Sequence, residues 1–324
     1  MAERTRSKSA TALSAFAQDV QTGLSQNPKK LSSRYFYDAE GDRLFQQIMA
    51  MPSYYLTGSE MAIFQQQKSA ILEAFGRNPF HLIELGAGDG TKTKVLLRYF
   101  QEQGIPFNYC PIDISKNVLL ELENMLQSEV PGLSVKSQHG DYFKVLGDLK
   151  KQSKYRNIVL FLGSNIGNFF PAEANHFLLL LRENLNPGDL VLIGFDLKKN
   201  PQTILDAYND ETGITAAFNL NLIARINREL DADFKLHQFK HWESYNPVTG
   251  EARSFLVSTM PQKVNIQSLQ TTFHFQAWEA IEVELSKKYS LHEIESLAVQ
   301  NGFQVKQHFF DPKAYFVDTL WVRI

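Results

Sequence analysis

FHLIELGAGDG, residues 80–90, decides the fold. An apolar run ends at a carboxylate, Glu84, and three glycines follow within five residues, Gly86, Gly88 and Gly90. Such a run reads as a buried strand entering a tight turn, because glycine bends freely and lets the backbone approach a neighbour closely. The helical spacing of TKTKVLLRYF (91–100) follows at once.

Downstream the same alternation repeats. FNYCPIDIS (107–115) is a second strand and SKNVLLELENMLQ (115–127) a second helix. LSVKSQHGD (133–141) is a third strand ending at Asp141. NIVLFLGSNIGNF (157–169) is a fourth, AEANHFLLLLRENL (172–185) the helix after it, and DLVLIGFDLKK (189–199) a fifth strand. Strands alternating with helices of this length predict an α/β fold with a parallel, doubly wound sheet. Beyond Lys199 the rhythm breaks. Residues 201–245 read as helix, and from Glu251 the chain turns strand-like through RSFLVSTM, QKVNIQSL, TTFHFQ and EAIEVELSKKY. LHEIESLAVQNG (291–302) is a helix, followed by strands QVKQHFFD and FVDTLWVRI. Upstream, the apolar spacing of Leu44, Phe45 and Ile48 is helical, Pro52 ends that helix, and Ser59 and Glu60 start the next, through Phe64 to Ala74.

The chain has 324 residues, 44% of them hydrophobic, which is enough for a sizeable core. A formal net charge of -2 gives no global attraction to nucleic acid or an anionic membrane. No apolar run is long enough to span a bilayer. A single cysteine, Cys110, excludes an internal disulfide and a cysteine-rich metal site and fits a reducing, cytoplasmic compartment. Residues 1–30 carry Arg4, Arg6 and Lys8 without an apolar stretch behind them, so they are no secretory signal. A frayed N-terminus is the preferred reading there and a transit peptide the alternative. The histidines show no ligand spacing, and no metal is expected.

In a doubly wound sheet, ligands sit beyond the carboxyl ends of the strands, at the switch point. Gly86, Gly88 and Gly90 match GxGxG and miss the dinucleotide GxGxxG by one residue, which speaks against a nicotinamide-dependent dehydrogenase. Asp113, at the end of the second strand, can accept both hydroxyls of a ribose. Asp141, at the end of the third, is in reach of an adenine amino group. Together with the glycine turn they point to S-adenosylmethionine, with ordinary turns between strands as the alternative, since these residue types also form plain turns.

A methyl acceptor needs its own pocket, aligned with the sulfonium. FLGSNIGNF puts Gly163 and Asn168 at the end of the fourth strand. Asn168 can hold a carboxylate or an amine, and it equally suits a helix cap. Tyr208 and Thr215, Tyr37 and Tyr54 lie in turn-like stretches, where tyrosines also serve as amphipathic covers of the core. In EVELSKKY, alternation sends Glu282, Glu284 and Ser286 to one face, toward either a pocket or solvent.

The combination of RYFYDAEGDRLFQQI, PSYYLT, ELGAGDGTKT, FLGSNIGNF, AYNDETGITAAFNLN and EVELSKKY resembles the L-histidine Nα-methyltransferases of ergothioneine biosynthesis, from about residue 28 onward. The resemblance implies a Rossmann-like class I methyltransferase sheet (76–200 plus 286–324) and a second α+β, substrate-binding domain (31–75 plus 201–285), after an N-terminal tail or helix (1–30). It implies conversion of histidine to trimethylhistidine (hercynine) by SN2 transfer from S-adenosylmethionine, without a covalent intermediate. Asn168 and Tyr208 would hold the substrate carboxylate, and Tyr54 and Asn168 would flank the amine, with Tyr37 nearby. Gly163 and Thr215 would complete the substrate site, and Glu284 and Ser286 would hydrogen-bond the imidazole. Gly86, Gly88, Lys92, Asp113, Asp141 and Tyr142 would contact the cofactor. A small-molecule amino acid is the expected partner, and a monomer is compatible with it.

One position departs from the family pattern. In EARSFLVST the family carries methionine near the imidazole, and this chain has Ser254. Serine leaves more room, so another aromatic amino acid, tryptophan above all, stays open beside histidine. A non-catalytic protein that binds cofactor or amino acid is the reading from a different class.

Overall fold

The structure is a computed structural model and describes residues 13–113, 115–152 and 154–324. The segment with Arg4, Arg6 and Lys8, on which the transit-peptide and frayed-end readings rest, lies outside the described residues. The next residues form α1 (Ala15–Leu24), whose first turn is capped by Ser14 accepting from the Ala17 N–H at 3.1 Å. Phe16, Val20 and Leu24 bury one stripe of it at helical spacing.

The chain continues through β1 (Lys29–Lys30), α2 (Ala39–Ala50), α3 (Tyr55–Phe75), β2 (Phe80–Leu85), α4 (Thr93–Glu102), β3 (Phe107–Asp113) and α5 (Lys116–Glu129). Then come β4 (Gln138–His139), α6 (Tyr142–Gln152), β5 (Arg156–Phe161), α7 (Pro171–Glu183), β6 (Leu190–Asp196), α8 (Pro201–Tyr208) and α9 (Ile214–Leu230). The last part holds β7 (Phe239–Asn246), β8 (Glu251–Ser258), β9 (Gln262–Ile266), β10 (Thr271–Phe275), β11 (Ala280–Lys287), α10 (Leu291–Gln300), β12 (Phe303–Phe310) and β13 (Phe316–Arg323).

Contacts divide the chain into two compact units. The larger comprises Met51–Ala207, Tyr245–Ala252 and Leu285–Ile324. Among the described residues it is built on a seven-stranded sheet in the order β12-β13-β6-β5-β2-β3-β4. Neighbours from β6 to β4 run parallel, as the sequence rhythm implies. At the other edge, for which the rhythm gave no direction, β13 is antiparallel to β6 and β12 antiparallel to β13. A βαβ crossover enforces parallel pairing, and no helix joins β12 to β13, so a short turn reverses the chain. Side chains alternate across this sheet. Leu82, Leu160 and Leu192 join a core with Phe64, Leu96 and Phe100, while Ile83, Val159 and Ile193 join the opposite one with Phe177, Leu181 and Trp321. Strand order reverses between β2 and β5, so the switch point lies beyond their carboxyl ends, where the glycine turn and FLGSN emerge.

The smaller unit comprises the described residues up to Ala50 together with Tyr208–Ser244 and Arg253–Glu284. There α2 packs on α9, β9 pairs with β10, and β1 pairs with β11 at Lys29–Ile281 and Lys30–Glu282. Strand β11 belongs to a sheet ordered β1-β11-β8-β7, and the division between units falls within β7, β8 and β11. Residues 51–75, expected in the substrate-binding domain, cluster instead with the large sheet. Ile63, Phe64, Ile71 and Leu72 of α3 are buried in its core, and α3 packs on β12 and β13.

Three local expectations change. Helix α3 starts at Tyr55, four residues before Ser59. The third strand shrinks to Gln138–His139, a sheet edge whose sequence has few apolar residues to bury. The helix expected over 201–245 is two helices and a strand. Asp210 and Gly213, at φ 76°, break it with turn chemistry, and β7 hides behind the polar string KHWESYN.

Candidate active site

In the larger unit the glycine turn is shaped by its neighbours. Gly86, Gly88 and Gly90 have φ of 70°, 55° and 64°, a region that side chains disfavour. A Cβ at Gly86 would lie 2.8 Å from the Tyr142 hydroxyl, so glycine alone gives that backbone its close approach to Tyr142. Glu84, the carboxylate before the turn, is buried and faces inward. It accepts hydrogen bonds from Thr93 Oγ1 at 2.7 Å and from the Tyr109 hydroxyl, fastening β2 to the start of α4 and to β3. Burial pushes its pKa up to about 7 against those two bonds.

Asp113 ends β3, and its Oδ1 accepts from the Ser115 N–H at 2.9 Å. Asp141 caps α6, with Oδ1 accepting from the N–H groups of Phe143 and Lys144 at 3.0 Å each. Tyr142 opens that helix, and burial, followed by the charges of Asp113 and Asp141, pushes its phenol up to about 12. The turn, Asp113, Asp141 and Tyr142 thus converge on one place. Lys92 stands one residue before α4, ion-paired to the fully buried Glu60, and burial opposes its charge while Glu60 sustains it, with a net rise in pKa. The Glu60 carboxylate also accepts from the Gly163 N–H at 2.8 Å.

FLGSNIGNF makes a sharp bend. Gly163 has φ 72° and Ser164 φ 57°, and Ser164 Oγ accepts from the Asp196 N–H at 3.0 Å. Asn168 is exposed at the end of the following 3₁₀ turn. The cap of α7 is Phe170, with Glu173 accepting from its N–H at 2.8 Å, so Asn168 is not spent on capping. Tyr54, half-buried, precedes α3. Ser286 is buried on β11 and accepts from the Lys288 ammonium at 2.7 Å. Lys288 is itself fully buried and paired to Asp196 at 2.9 Å. A surface groove of 320 Å³ beside α7 and α10, lined by Asn175, His292 and Glu293 among others, holds none of the expected site residues.

In the smaller unit Asp38 ties two sequence motifs together. Its carboxylate accepts from the Gly41 N–H at the start of α2, from Asn221 Nδ2 of α9, both at 2.8 Å, and from Arg228. That places Tyr37 edge-on to Phe45 and Phe218, with ring centroids 5.5 and 5.9 Å away. Tyr37 keeps 47% of its surface exposed while protein crowds its phenol, and that burial, then Glu284, pushes its pKa well up. It is a neutral phenol, suited to hydrogen bonding and not to acting as a base. Tyr208 is buried, and its carbonyl accepts from His241 Nε2 at 3.0 Å. Thr215 is buried in the first turn of α9, its N–H donating to Asp210 at 2.8 Å. Ser254 is buried with its hydroxyl 2.8 Å from Glu243 and 3.2 Å from Glu284. Glu282 is spent on ion pairs with Arg253 and Lys30.

Glu60, Glu243 and Asp318 were not selected from sequence. Glu60 shares the buried stripe of α3 with Leu56, Ile63 and Phe64, and a carboxylate on an apolar stripe is the signal that marks it.

A glycine turn in which Gly86 and Gly90 leave no room for a Cβ, a carboxylate at the end of β3 and an acidic cap at the end of β4 fit a nucleoside sulfonium. At the switch point of a mainly parallel sheet they define an S-adenosylmethionine-dependent methyltransferase. The family described as "Histidine-specific methyltransferase, SAM-dependent" matches residues 16–323, and the chain belongs to it. It is 35% identical over 313 residues to Histidine N-alpha-methyltransferase of Mycolicibacterium smegmatis, covering 97% of this chain and 96% of that one. It is 34% identical over 275 residues to the protein of that name from Mycobacterium tuberculosis, covering 85% and 84%. Ergothioneine biosynthesis protein 1 of Neurospora crassa is 29% identical over 291 residues, spanning 86% of this chain and 31% of that protein.

Proposed function

We propose that the chain methylates the α-amino group of L-histidine three times in succession, giving trimethylhistidine (hercynine) on the route to ergothioneine, in the cytoplasm. The cofactor, when bound, supplies an electrophilic methyl group on its sulfonium. Gly86, Gly88, Lys92, Asp113, Asp141 and Tyr142 would hold it. In the larger unit Asn168 offers two donors and an acceptor, enough to hold the substrate carboxylate and steer its amine, with Tyr54 and Gly163 beside it. Ser286 would meet the imidazole. In the smaller unit Tyr208 would bind the substrate carboxylate and Thr215 would contact substrate, Tyr37 would hydrogen-bond near the amine as a neutral phenol, and Glu284 would accept the imidazole N–H. A clamp on the α-carboxylate directs transfer to the α-amine and away from the ring. Proton loss from the amine before each attack then falls to solvent or to a neighbouring acceptor.

One observation carries the choice of histidine. Ser254, standing where the family has methionine, is buried with its hydroxyl within 3.2 Å of Glu284 and 2.8 Å of Glu243. The hydroxyl, with one proton to give, makes the wall beside the ring-binding carboxylate polar, which suits an imidazole with two ring nitrogens to pair better than an indole with one. Histidinol, which keeps ring and amine but lacks the carboxylate, tests the clamp. Turnover should be confined to histidine, and comparable kcat/KM on histidinol would refute the assignment of Asn168 and Tyr208.

A further inference from the structure

Beneath the cofactor edge of the larger unit lies a polar cluster that the roles above leave unused. Glu60 of α3 is fully buried, with Oε1 on the Gly163 N–H at 2.8 Å and Oε2 on the Lys92 ammonium. Asp318 of β13 is also fully buried. Its carboxyl lies within hydrogen-bonding reach of Glu60, and among the described residues no N–H or O–H donates to either of its oxygens. Directly opposite Asp318 in the β13–β6 register is Gly194, where a Cβ would collide with Glu60 Oε1 and crowd Phe316. The sheet has been opened at one residue to admit the Glu60 carboxylate.

Two buried carboxylates and one ammonium leave one charge unbalanced. An ionised carboxylate this deep without a donor is strongly disfavoured, whereas a protonated one can donate to its neighbour. We propose that Glu60 and Asp318 share one proton and act as positioning residues for methyl transfer, Glu60 carrying the negative charge that fixes Lys92 and the Gly163 N–H, and Asp318 donating to Glu60 as a neutral acid. Lys92 and Glu60 then carry equal and opposite charges, with Glu84 the remaining carboxyl in their field. Burial, then the neighbouring Glu60, raises the Asp318 pKa well above the ordinary range, in line with that assignment. The consequence is geometric. Lys92 precedes α4 behind the glycine turn, and Gly163 opens the loop that carries Asn168, so a single carboxylate sets the register of the cofactor side and the acceptor side within this unit. The inference rests on the proposed roles of Lys92 and Gly163.

The test uses the full chain with four variants, Asp318→Asn, Asp318→Ala, Glu60→Gln and Glu60→Asp. Cofactor affinity is read by calorimetry without acceptor, and kcat and KM with histidine. In the Glu84→Gln background, which removes the other buried acid, the protein should show the infrared carbonyl band of a protonated carboxylic acid at pH 8, and adding Asp318→Asn should abolish it. Asp318→Asn keeps a donor to Glu60, so it should stay within about threefold of wild type in cofactor affinity and in kcat. Asp318→Ala and Glu60→Gln should weaken cofactor binding by about tenfold or more, and lower kcat further than they change the histidine KM. Glu60→Asp, which keeps the charge on a shorter arm, should fall between. A band that survives Asp318→Asn in that background, or Asn and Ala variants of equal affinity, would overturn the proposal. If histidine proves not to be the substrate, the calorimetric and infrared results still decide this inference, so its failure and that of the functional reading stay distinct.

Discussion

Replacing Gly86 with alanine tests how the glycine turn meets the cofactor. The new Cβ lies 2.8 Å from the Tyr142 hydroxyl and 3.9 Å from the ring carbon that carries it. Two separable effects follow. At φ 70° an alanine is strained by roughly 1–2 kcal/mol, whatever stands beside it. The clash with the hydroxyl comes on top, and it forces Tyr142 away from the turn or the turn away from its ligand. Removing the hydroxyl with Tyr142→Phe leaves ordinary van der Waals contact at 3.9 Å and relieves the second effect alone. Titration calorimetry with S-adenosylmethionine on wild type, both single variants and the double variant gives the full cycle. Gly86→Ala should lose about tenfold in affinity or more, close to 1.4 kcal/mol. The double variant should regain most of that, for a coupling of about 1 kcal/mol, while denaturant unfolding retains the backbone strain in both alanine variants. Effects that add within about 0.5 kcal/mol would refute the claim that Tyr142 shapes the turn.

Glu84→Gln should flatten the pH dependence of stability. The carboxyl binds its proton more tightly when folded, at about 7 against an ordinary 4.5, so its stabilising contribution is full below the lower value and is lost as pH rises to the upper one. Relative to the variant, wild type should lose roughly 3 kcal/mol across that window in denaturant titrations, and parallel curves would contradict the burial of Glu84. Asp210→Ala removes the acceptor for the Ile214 and Thr215 N–H groups at the start of α9 and should lower stability by about 1 kcal/mol near neutral pH. Burial opposes ionisation of Asp210, but hydrogen bonds from Thr212 and Thr215 hold its pKa down to about 2. Its contribution should therefore shrink as pH falls from about 4 toward that value, and a loss independent of acid would argue against the cap. Ser254→Ala should raise the histidine KM and leave cofactor affinity unchanged in the same calorimetric assay. An unaltered KM would show that the Ser254 hydroxyl does not support the ring site.

The large sheet was legible because its strands are apolar runs interrupted by glycine and aspartate, and LVLIGFD is buried at every residue. Pairing direction was not legible. Nothing in FVDTLWVRI distinguishes a strand that continues the parallel series from one that turns back. Strand β7 was hidden because its side chains are mostly polar or exposed, Trp242 among them, so the run shows little apolar alternation. At the cofactor end, Gly86, Asp113 and Asp141 announce themselves by lying at strand ends. Glu60 and Asp318 do not, because their meaning arises only when a helix early in the chain and the last strand cover the same glycine, Gly194. The hydrogen bond from Ser254 to Glu243 was likewise invisible, since Glu243 lies in the strand whose residues read as helix.

The proposed activity stands or falls with the identity of the acceptor. Mass spectrometry of reactions containing S-adenosylmethionine and each natural amino acid in turn tests it most directly. Successive mass gains ending at three methyl groups are expected on histidine alone, with fragmentation placing all of them on the α-nitrogen. Methylation of tryptophan or tyrosine in place of histidine, or no product from any amino acid while the cofactor still binds, would contradict it.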